Sequence, residues 1–249
     1  MKQWTGEVAL VTGASSGIGR CIAKALVEDG MRVVACARRG ERLEALAGEC
    51  QGLAGELWPI VCDLRDTDQI PGMFEEIRKR WGGVRVMVNN AGFGYREPLL
   101  SGETARWREI LEVNVLALCV CTREAVADMR RTGDRGHVIH LSSMSAHRVP
   151  GGSGLYSASK FAVRSLTEGL RLELREIQSA IRVTALSPGF VETEFAEVYS
   201  GDAQKARETY ERYPVLQPED IASTLRHVLS APPHMQIHDV LLRPTEQPS

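Results

Sequence analysis

Short apolar runs alternate with helix-like segments along the chain, and this alternation limits the possible folds more than any other feature of the sequence. Seven runs rich in Val, Ile and Leu have the length of β-strands: 7–13, 32–38, 57–63, 84–90, 137–143, 181–187 and 239–243. Six segments have helical patterning: 17–29, 41–50, 67–81, 103–131, 155–178 and 217–230. Strands that are apolar almost throughout are typical of a sheet covered on both faces. The alternation therefore predicts an α/β fold with a doubly wound parallel sheet of about seven strands flanked by helices.

Composition excludes several classes of protein. The 249 residues are 43% hydrophobic and carry a net charge of −2, which fits a soluble globular chain. A charge so near zero offers no electrostatic field for nucleic acid, and no apolar stretch reaches the length of a membrane span. No linker, repeat or low-complexity segment divides the chain, so we expect a single domain over residues 1–249.

Cysteine and histidine usage argues for an intracellular protein without a metal centre. The six cysteines show no CxxC spacing and are interpreted as reduced thiols. The six histidines are scattered, so a metal site is not expected. The first strand-like run begins at Glu7, which leaves no room for a signal peptide, and we expect a cytoplasmic protein.

One segment interrupts the regular pattern. Residues 190–216 follow a strand but are polar and weakly periodic. In an open α/β sheet such an insertion lies above the carboxyl ends of the strands, where ligands bind. We interpret it as a mobile lid.

The first strand runs into the glycine-rich turn TGASSGIG at 12–19 and then into a helix. Gly13, Gly17 and Gly19 allow a tight turn and close approach of the backbone to a diphosphate at the helix N-terminus. A turn of this kind also serves as a simple strand-to-helix connector. The absence of a following GKS or GKT excludes a Walker loop.

The end of the second strand distinguishes between the two nicotinamide dinucleotides. An acidic residue there usually binds the adenosine ribose, but this chain has Arg38 and Arg39. A guanidinium binds a phosphate through two parallel hydrogen bonds. We therefore expect NADP(H) rather than NAD(H), the alternative being that both arginines only face solvent.

Tyr156 and Lys160 lie four residues apart at the start of a helix and therefore share a helix face. Such a pair arises by chance in roughly one chain in ten of this composition, and an ordinary surface pair is the alternative. Ser143 and Asn114 precede it, as does the turn NNAG at 89–92. All three lie at or near the carboxyl ends of successive strands.

Together these motifs resemble the short-chain dehydrogenase/reductase family. The resemblance rests on TGxxxGxG, NNAG, Asn114, the Ser143, Tyr156 and Lys160 set, and PGFVET at 188–193. It implies a Rossmann-type fold and an NADP(H)-dependent oxidoreductase that interconverts an alcohol and a carbonyl. It also implies a catalytic role for four residues: Asn114, Ser143, Tyr156 and Lys160.

The resemblance assigns a task to each of the four. Tyr156 would exchange a proton with the substrate oxygen, and Ser143 would hydrogen-bond that oxygen. Lys160 would hold the nicotinamide ribose and, with the positive nicotinamide of NADP⁺, lower the tyrosine pKa from its usual ~10. Asn114 would anchor a water that links Lys160 to solvent. Ser142 is the rival to Ser143.

The resemblance also implies the cofactor contacts. They are Gly13, Ser15, Gly17, Ile18, Gly19, Arg38, Arg39, Asp63, Leu64, Asn90, Ala91, Gly92, Tyr156, Lys160, Pro188, Gly189, Val191 and Thr193.

The substrate is inferred from two stretches and from the lid. Residues 142–152 and 231–249 resemble a subgroup of the family that reduces keto groups on steroids and other carbonyl compounds. A bulky hydrophobic ketone would suit an apolar pocket lined by Phe93, Tyr95, Phe190, Phe195, Val198 and Tyr199, although these side chains could equally pack between lid and core. The residues expected to contact substrate are Ser143, Ser145, His147, Tyr156 and Phe190.

The sequence is also compatible with other activities. Arg148 could instead bind a carboxylate, which would favour a short 3-hydroxy acid, and a general aldehyde or dicarbonyl reductase is a further alternative. A silent NADP(H)-binding sensor or scaffold is the alternative of another class. The resemblance finally implies a homotetramer or homodimer formed through the two long helices.

Overall fold

The computed structural model describes residues 1–248 and contains one seven-stranded sheet in which every strand pair is parallel. The strands are β1 (Val8–Thr12), β2 (Arg32–Ala37), β3 (Glu56–Val61), β4 (Val86–Asn89), β5 (His137–Leu141), β6 (Arg182–Pro188) and β7 (Asp239–Leu242). Their order across the sheet is β3-β2-β1-β4-β5-β6-β7. The predicted fold class is confirmed.

Nine α-helices accompany the sheet in residues 1–248. They are α1 (Gly17–Glu28), α2 (Gly40–Glu49), α3 (Gln69–Trp81), α4 (Thr104–Leu111), α5 (Leu118–Arg131), α6 (Gly154–Glu176), α7 (Phe195–Ser200), α8 (Ala203–Tyr210) and α9 (Pro218–Ser230). The order reverses direction between β1 and β4, which creates the crevice in which sheets of this type bind ligands.

The two sides of the sheet carry separate apolar cores because neighbouring side chains of a strand point to opposite faces. In β1, Ala9 and Val11 pack with α1, α2 and α9, whereas Val8 and Leu10 pack with α3, α5 and α6. All five residues of β1 are buried. This double burial explains why the strand is apolar throughout rather than at alternate positions.

The long helix predicted over 103–131 is interrupted. A π-helical stretch (Glu112–Ala117) separates α4 from α5 and contains Asn114. Single π-turns inside helices are common at functional sites because the extra residue turns a side chain out of the regular helical register. Here it allows the Asn114 amide to reach the backbone of Phe93.

The segment predicted as a lid forms the short helices α7 and α8. Its two ends meet in a parallel bridge between Val191 and Leu216. Glu192 N donates to Leu216 O at 2.9 Å, and Leu216 N donates to Phe190 O at 3.1 Å. The insertion is therefore joined to the sheet through a narrow hydrogen-bonded neck.

Within residues 1–248, no helix combines the length and apolarity that crossing a membrane requires. The same residues contain no group of three or more His, Cys, Asp or Glu side chains placed to hold a metal ion.

Candidate active site

A cavity of about 1040 Å³ opens at the carboxyl ends of the strands. Loops that follow β1 to β6 line it, together with the start of α6 and the lid helices. Of the predicted site residues it brings together Gly13, Ser15, Gly17, Ile18, Arg38, Arg39, Asp63, Leu64, Asn90, Ala91, Gly92, Ser143, Ser145, Tyr156, Lys160, Pro188, Gly189, Phe190, Val191 and Thr193. Gly19, Asn114 and His147 lie outside the lining.

Tyr156 and Ser143 meet at the inner end of this cavity. Tyr156 is buried in the first turn of α6, and Ser143 caps a short 3-10 turn (Met144–Ala146) after β5. The Ser143 hydroxyl accepts a hydrogen bond from Ser145 N at 3.0 Å and interacts with the phenol. Burial raises the pKa of Tyr156 to about 12, while the Ser143 hydroxyl acts in the opposite direction. The phenol therefore carries its proton at neutral pH.

Ser142, the rival to Ser143, also lines the cavity. Its buried hydroxyl has no hydrogen-bond partner in the described chain, and no interaction with Tyr156 accompanies it. The structure thus places Ser143, not Ser142, opposite the phenol.

Lys160 follows Tyr156 by one helical turn and is also buried. Its ammonium donates to the carbonyl oxygen of Leu141 at 2.8 Å and to no other acceptor in residues 1–248. Burial lowers the pKa of Lys160 to about 8. The remaining N–H groups of the ammonium lie beside the cavity that the side chain lines.

The pKa of Tyr156 in the protein alone differs from the value expected beside Lys160. The sequence predicts a lowered tyrosine pKa, whereas burial is the largest influence and raises it. The lysine nitrogen lies 5.9 Å from the centre of the tyrosine ring and is turned towards Leu141. In the protein alone, desolvation therefore dominates the pKa of Tyr156, and Lys160 is not among the groups that shift it.

Asn114 stabilises the backbone around the site rather than lining the cavity. Its amide donates to Phe93 O at 2.8 Å and to Ser159 Oγ at 3.0 Å, and its oxygen accepts from Phe93 N at 3.1 Å. Ser159 in turn donates to the carbonyl oxygen of Tyr156 at 2.7 Å. This network joins the π-helical turn, the loop after β4 and the start of α6. Sequence reasoning missed Ser159, for which no motif exists.

The glycine-rich turn packs against the loop after β4. Asn90 Nδ2 donates to Thr12 O at 2.8 Å, and Ala91 N donates to the Thr12 hydroxyl at 3.0 Å. A Cβ atom at Gly19 would lie 2.5 Å from Gly13 O and would also clash with the Asn90 amide. The close approach of these two loops explains the glycine at position 19, and it leaves the N-terminus of α1 open to the cavity.

The two arginines after β2 have different surroundings. Arg38 is exposed and has no hydrogen bond or ion pair with the rest of residues 1–248. Arg39 donates to the hydroxyls of Ser15 and Ser16 at 3.2 and 2.7 Å and pairs with Glu194 at 2.9 Å. Ser16 and Glu194 were not predicted, and only the position of Ser16 within the glycine-rich turn could have indicated it.

Two other parts of the predicted cofactor site, at Asp63 and next to Gly189, contact side chains of the protein itself. Asp63 is paired with Arg65 at 2.6 Å, and the hydrogen bonds from Arg65 hold the pKa of that carboxyl below its usual range. Beyond Gly189, the buried Gln247 accepts a hydrogen bond from Phe190 N at 2.9 Å. Gln247 lies in the C-terminal tail, where no sequence pattern marked it.

Aromatic side chains line the part of the cavity next to Tyr156. The rings of Phe195 and Tyr199 lie 5.3 and 5.7 Å from the Tyr156 ring, centre to centre. All six residues proposed from the sequence for an apolar pocket line the cavity: Phe93, Tyr95, Phe190, Phe195, Val198 and Tyr199. Ser145 lines it as well.

His147 does not reach the cavity, in contrast to the prediction that it contacts substrate. Its ring lies 3.0 Å from the Asp239 carboxylate and 3.3 Å from the Ser187 hydroxyl, so it ties the loop after β5 to β6 and β7. The neighbouring Arg148 does line the cavity, and its buried Nε has no partner in residues 1–248.

The residues present fit a nicotinamide dinucleotide. The buried Lys160 ammonium has donors to spare for hydroxyl groups. The unpaired Arg38 and the N-terminus of α1 suit phosphates.

A family profile described as "short chain dehydrogenase" matches residues 7–204, and the chain belongs to that family. It is thus an oxidoreductase that uses a nicotinamide cofactor to interconvert an alcohol and a carbonyl group.

Named relatives cover almost the whole chain. "Dehydrogenase/reductase SDR family member 11" of Bos taurus is 51% identical over 99% of both chains. "NADP-dependent 3-hydroxy acid dehydrogenase YdfG" of Salmonella typhi is 36% identical over 96% of both. A solved structure, the closed form of serine dehydrogenase complexed with NADP⁺, superposes with a TM-score of 0.91 at 32% identity and covers 97% of this chain and 96% of its own.

Proposed function

We propose that this protein is an NADP(H)-dependent reductase of bulky hydrophobic ketones, such as ketosteroids, and also oxidises the corresponding alcohols. The observation that carries the proposal is the surroundings of the buried Tyr156 phenol, which interacts with the Ser143 hydroxyl and whose ring packs against those of Phe195 and Tyr199. A ketone placed against that wall has an acid and a hydrogen-bond donor available for its oxygen.

The protein side of the reaction follows from these groups. When bound along the cavity, NADPH would be the source of the hydride that the carbonyl carbon accepts. Ser143 donates a hydrogen bond to the carbonyl oxygen, where negative charge develops. Tyr156 gives its proton to that oxygen, and Lys160 holds the ribose and contributes positive charge beside the tyrosinate that remains.

The preference for NADP(H) rests on charge at the end of β2. Arg38 and Arg39 line the adenosine end of the cavity, where NAD(H)-binding chains usually carry an acid. The 3-hydroxy acid relative is named as NADP-dependent, and the serine dehydrogenase structure contains NADP⁺. Both agree with a 2′-phosphate contact by these arginines.

A second substrate class is favoured by one observation. Arg96 and Arg148 line the substrate end of the cavity, and neither guanidinium has an acidic partner in the described chain. A carboxylate on the substrate would satisfy them. Two of the similar proteins are named for a 3-hydroxy acid and for serine, both of which carry carboxylates.

One screen separates these candidates. NADPH oxidation is measured against ketosteroids, neutral diketones, aldehydes and 3-keto acids, with NADH in parallel and with Tyr156→Phe as the control enzyme. We expect the fastest turnover with hydrophobic ketones and NADPH, and none with Tyr156→Phe although the variant still binds NADPH. Turnover that survives in Tyr156→Phe would refute the catalytic assignment, and NADPH binding without any turnover would favour a sensor or scaffold.

We further propose a homodimer or homotetramer. Apolar side chains are exposed along the π-helical stretch and α6, including Leu116 at 51%, Phe161 at 40% and Leu172 at 49%. Burying such side chains against a second copy would be favourable. Sedimentation velocity gives the number of subunits, and a monomer at micromolar concentration would refute this proposal.

A further inference from the structure

The carboxylate of Glu194 lies between two arginines at the start of the lid. Its Oε2 is 2.9 Å from Arg39 NH1, and its Oε1 is 2.5 Å from Arg42 NH1. Glu194 directly precedes α7, whereas the arginines belong to the turn after β2 and to α2. Both carboxylate oxygens are therefore used in joining the lid to the adenosine end of the cavity.

Arg39 is shared between this carboxylate and the glycine-rich turn. Its Nε donates to Ser15 Oγ, and its NH2 donates to Ser16 Oγ. NH1, the nitrogen bound to Glu194, is thus the part of the guanidinium that faces away from the turn. Carboxylates and phosphates are alternative ligands for the same N–H groups of an arginine. An anion that binds Arg39 there must replace Glu194 or share the nitrogen with it.

We propose that Glu194 determines cofactor specificity by competing with the 2′-phosphate of NADP(H) for Arg39, and that NADP(H) binding releases this carboxylate from the arginine. The proposal rests on the proposed NADP(H) preference. In this arrangement Glu194 is an internal anion that weakens the binding of NADP(H). It leaves the binding of NAD(H) unchanged, because NAD(H) has no 2′-phosphate.

The strength of the pairs makes such an exchange feasible. The three side chains are nearly half exposed, at 44% for Arg39 and 48% for both Arg42 and Glu194. Exposed ion pairs of this kind shift an equilibrium by only about two- to fivefold each. A phosphate that carries close to two negative charges binds a guanidinium more strongly than a carboxylate that carries one. The 2′-phosphate is therefore expected to displace Glu194 at a measurable cost in affinity.

Displacement of Glu194 from Arg39 also affects the substrate end of the cavity, because α7 begins directly after Glu194, at Phe195. Phe195 and Tyr199 of that helix pack against the Tyr156 ring. Release of Glu194 removes one of the attachments between α7 and the sheet side of the cavity, and binding of NADPH should therefore loosen this helix more than binding of NADH does.

The test compares Glu194→Gln with Glu197→Gln, measuring the Kd of NADPH and of NADH by cofactor fluorescence. Glu197 lies three residues further on, inside α7, is exposed, and has no ion pair in the described chain, so its substitution removes the same charge without touching Arg39. We expect Glu194→Gln to tighten NADPH binding by about fivefold and to change NADH binding by less than about twofold. Glu197→Gln should leave both constants within about twofold of the wild type.

A second comparison repeats the Glu194→Gln substitution in an Arg39→Gln background, where the gain for NADPH should disappear. The proposal fails if NADPH binding weakens or stays the same in Glu194→Gln, if NADH binding tightens equally, or if the gain persists without Arg39. Failure of the proposed cofactor preference is a separate result, because it would show as a wild-type Kd for NADH at or below that for NADPH, whereas the inference depends only on the change in their ratio.

Discussion

The ammonium nitrogen of Lys160 lies 5.9 Å from the centre of the Tyr156 ring, one helical turn away on α6. Both groups are buried, and burial opposes both charges: it raises the pKa of Tyr156 to about 12 and lowers that of Lys160 to about 8. Below pH 8 the pair is therefore a neutral acid beside a cation, the state required for donating a proton to a carbonyl oxygen.

Carbonyl reduction is expected to lose activity as the pH rises through about 8, where Lys160 loses its proton. Alcohol oxidation should instead gain activity with pH, since it needs the tyrosinate. Steady-state rates from pH 6 to 10 with saturating cofactor test both trends. In Lys160→Arg the residual reduction should stay constant to higher pH, and a decline at the same pH as in the wild type would contradict the assignment to Lys160.

Removal of the charge at Arg38 should weaken NADPH selectively. Arg38 is exposed at the cavity edge and has no protein partner in residues 1–248, so its loss leaves no carboxylate unpaired. We expect Arg38→Gln to raise the Kd of NADPH about tenfold or more, in line with a lost charge-assisted hydrogen bond, and to leave the Kd of NADH nearly unchanged. Arg108→Gln, an exposed position outside the cavity, is the control. Equal effects on the two cofactors would contradict a 2′-phosphate contact.

Arg148→Gln tests the acidic substrate class. If its unpaired guanidinium binds a carboxylate, KM for a keto acid should rise about tenfold or more while KM for the methyl ester of the same acid stays constant. Matched acid and ester substrates, assayed with both enzymes at fixed NADPH, give this comparison. A parallel loss with acid and ester would indicate that Arg148 only supports the loop.

Two glycine substitutions should have opposite effects on stability. A methyl group at Gly19 would lie 2.5 Å from Gly13 O, so Gly19→Ala forces the glycine-rich turn away from Asn90, and we expect a loss of about 2 kcal/mol in unfolding free energy. Gly169→Ala, in α6, meets no atom within 4 Å and should stabilise the protein by about 0.5–1 kcal/mol. Urea denaturation measures both, and equal stabilities would contradict the packing described here.

Most of the sheet follows directly from local patterning. Every predicted strand is present, with ends shifted by at most two residues. The inner strands β1, β4, β5 and β6 are buried on both faces and are therefore mostly apolar. The break in the helix around Asn114 was not predicted, since a π-turn alters the hydrogen-bond register without changing the apolar periodicity that sequence analysis reads.

The sequence predicts one part of the candidate site and not the other, again according to how local the determining contacts are. Positions set by a strand end or a helix start, such as Ser143 and Tyr156, are predicted together through the resemblance to the family's motifs, and they adjoin in the structure. His147, predicted to contact substrate, lies outside the cavity lining and next to Asp239, a contact that the sequence after Ser143 does not indicate. The pairing of Glu194 with Arg39 joins residues 155 positions apart, a distance over which charge patterning in a single sequence carries no information.

The neck between Val191 and Leu216 has a consequence for how such an enzyme diversifies. Since the intervening segment leaves and re-enters at hydrogen-bonded neighbours, its length and sequence can change with little disturbance to the strands that carry the proton-transfer groups. A chimaera that exchanges 192–215 for the equivalent stretch of a relative would then inherit the donor's choice of carbonyl compound while retaining the recipient's chemistry.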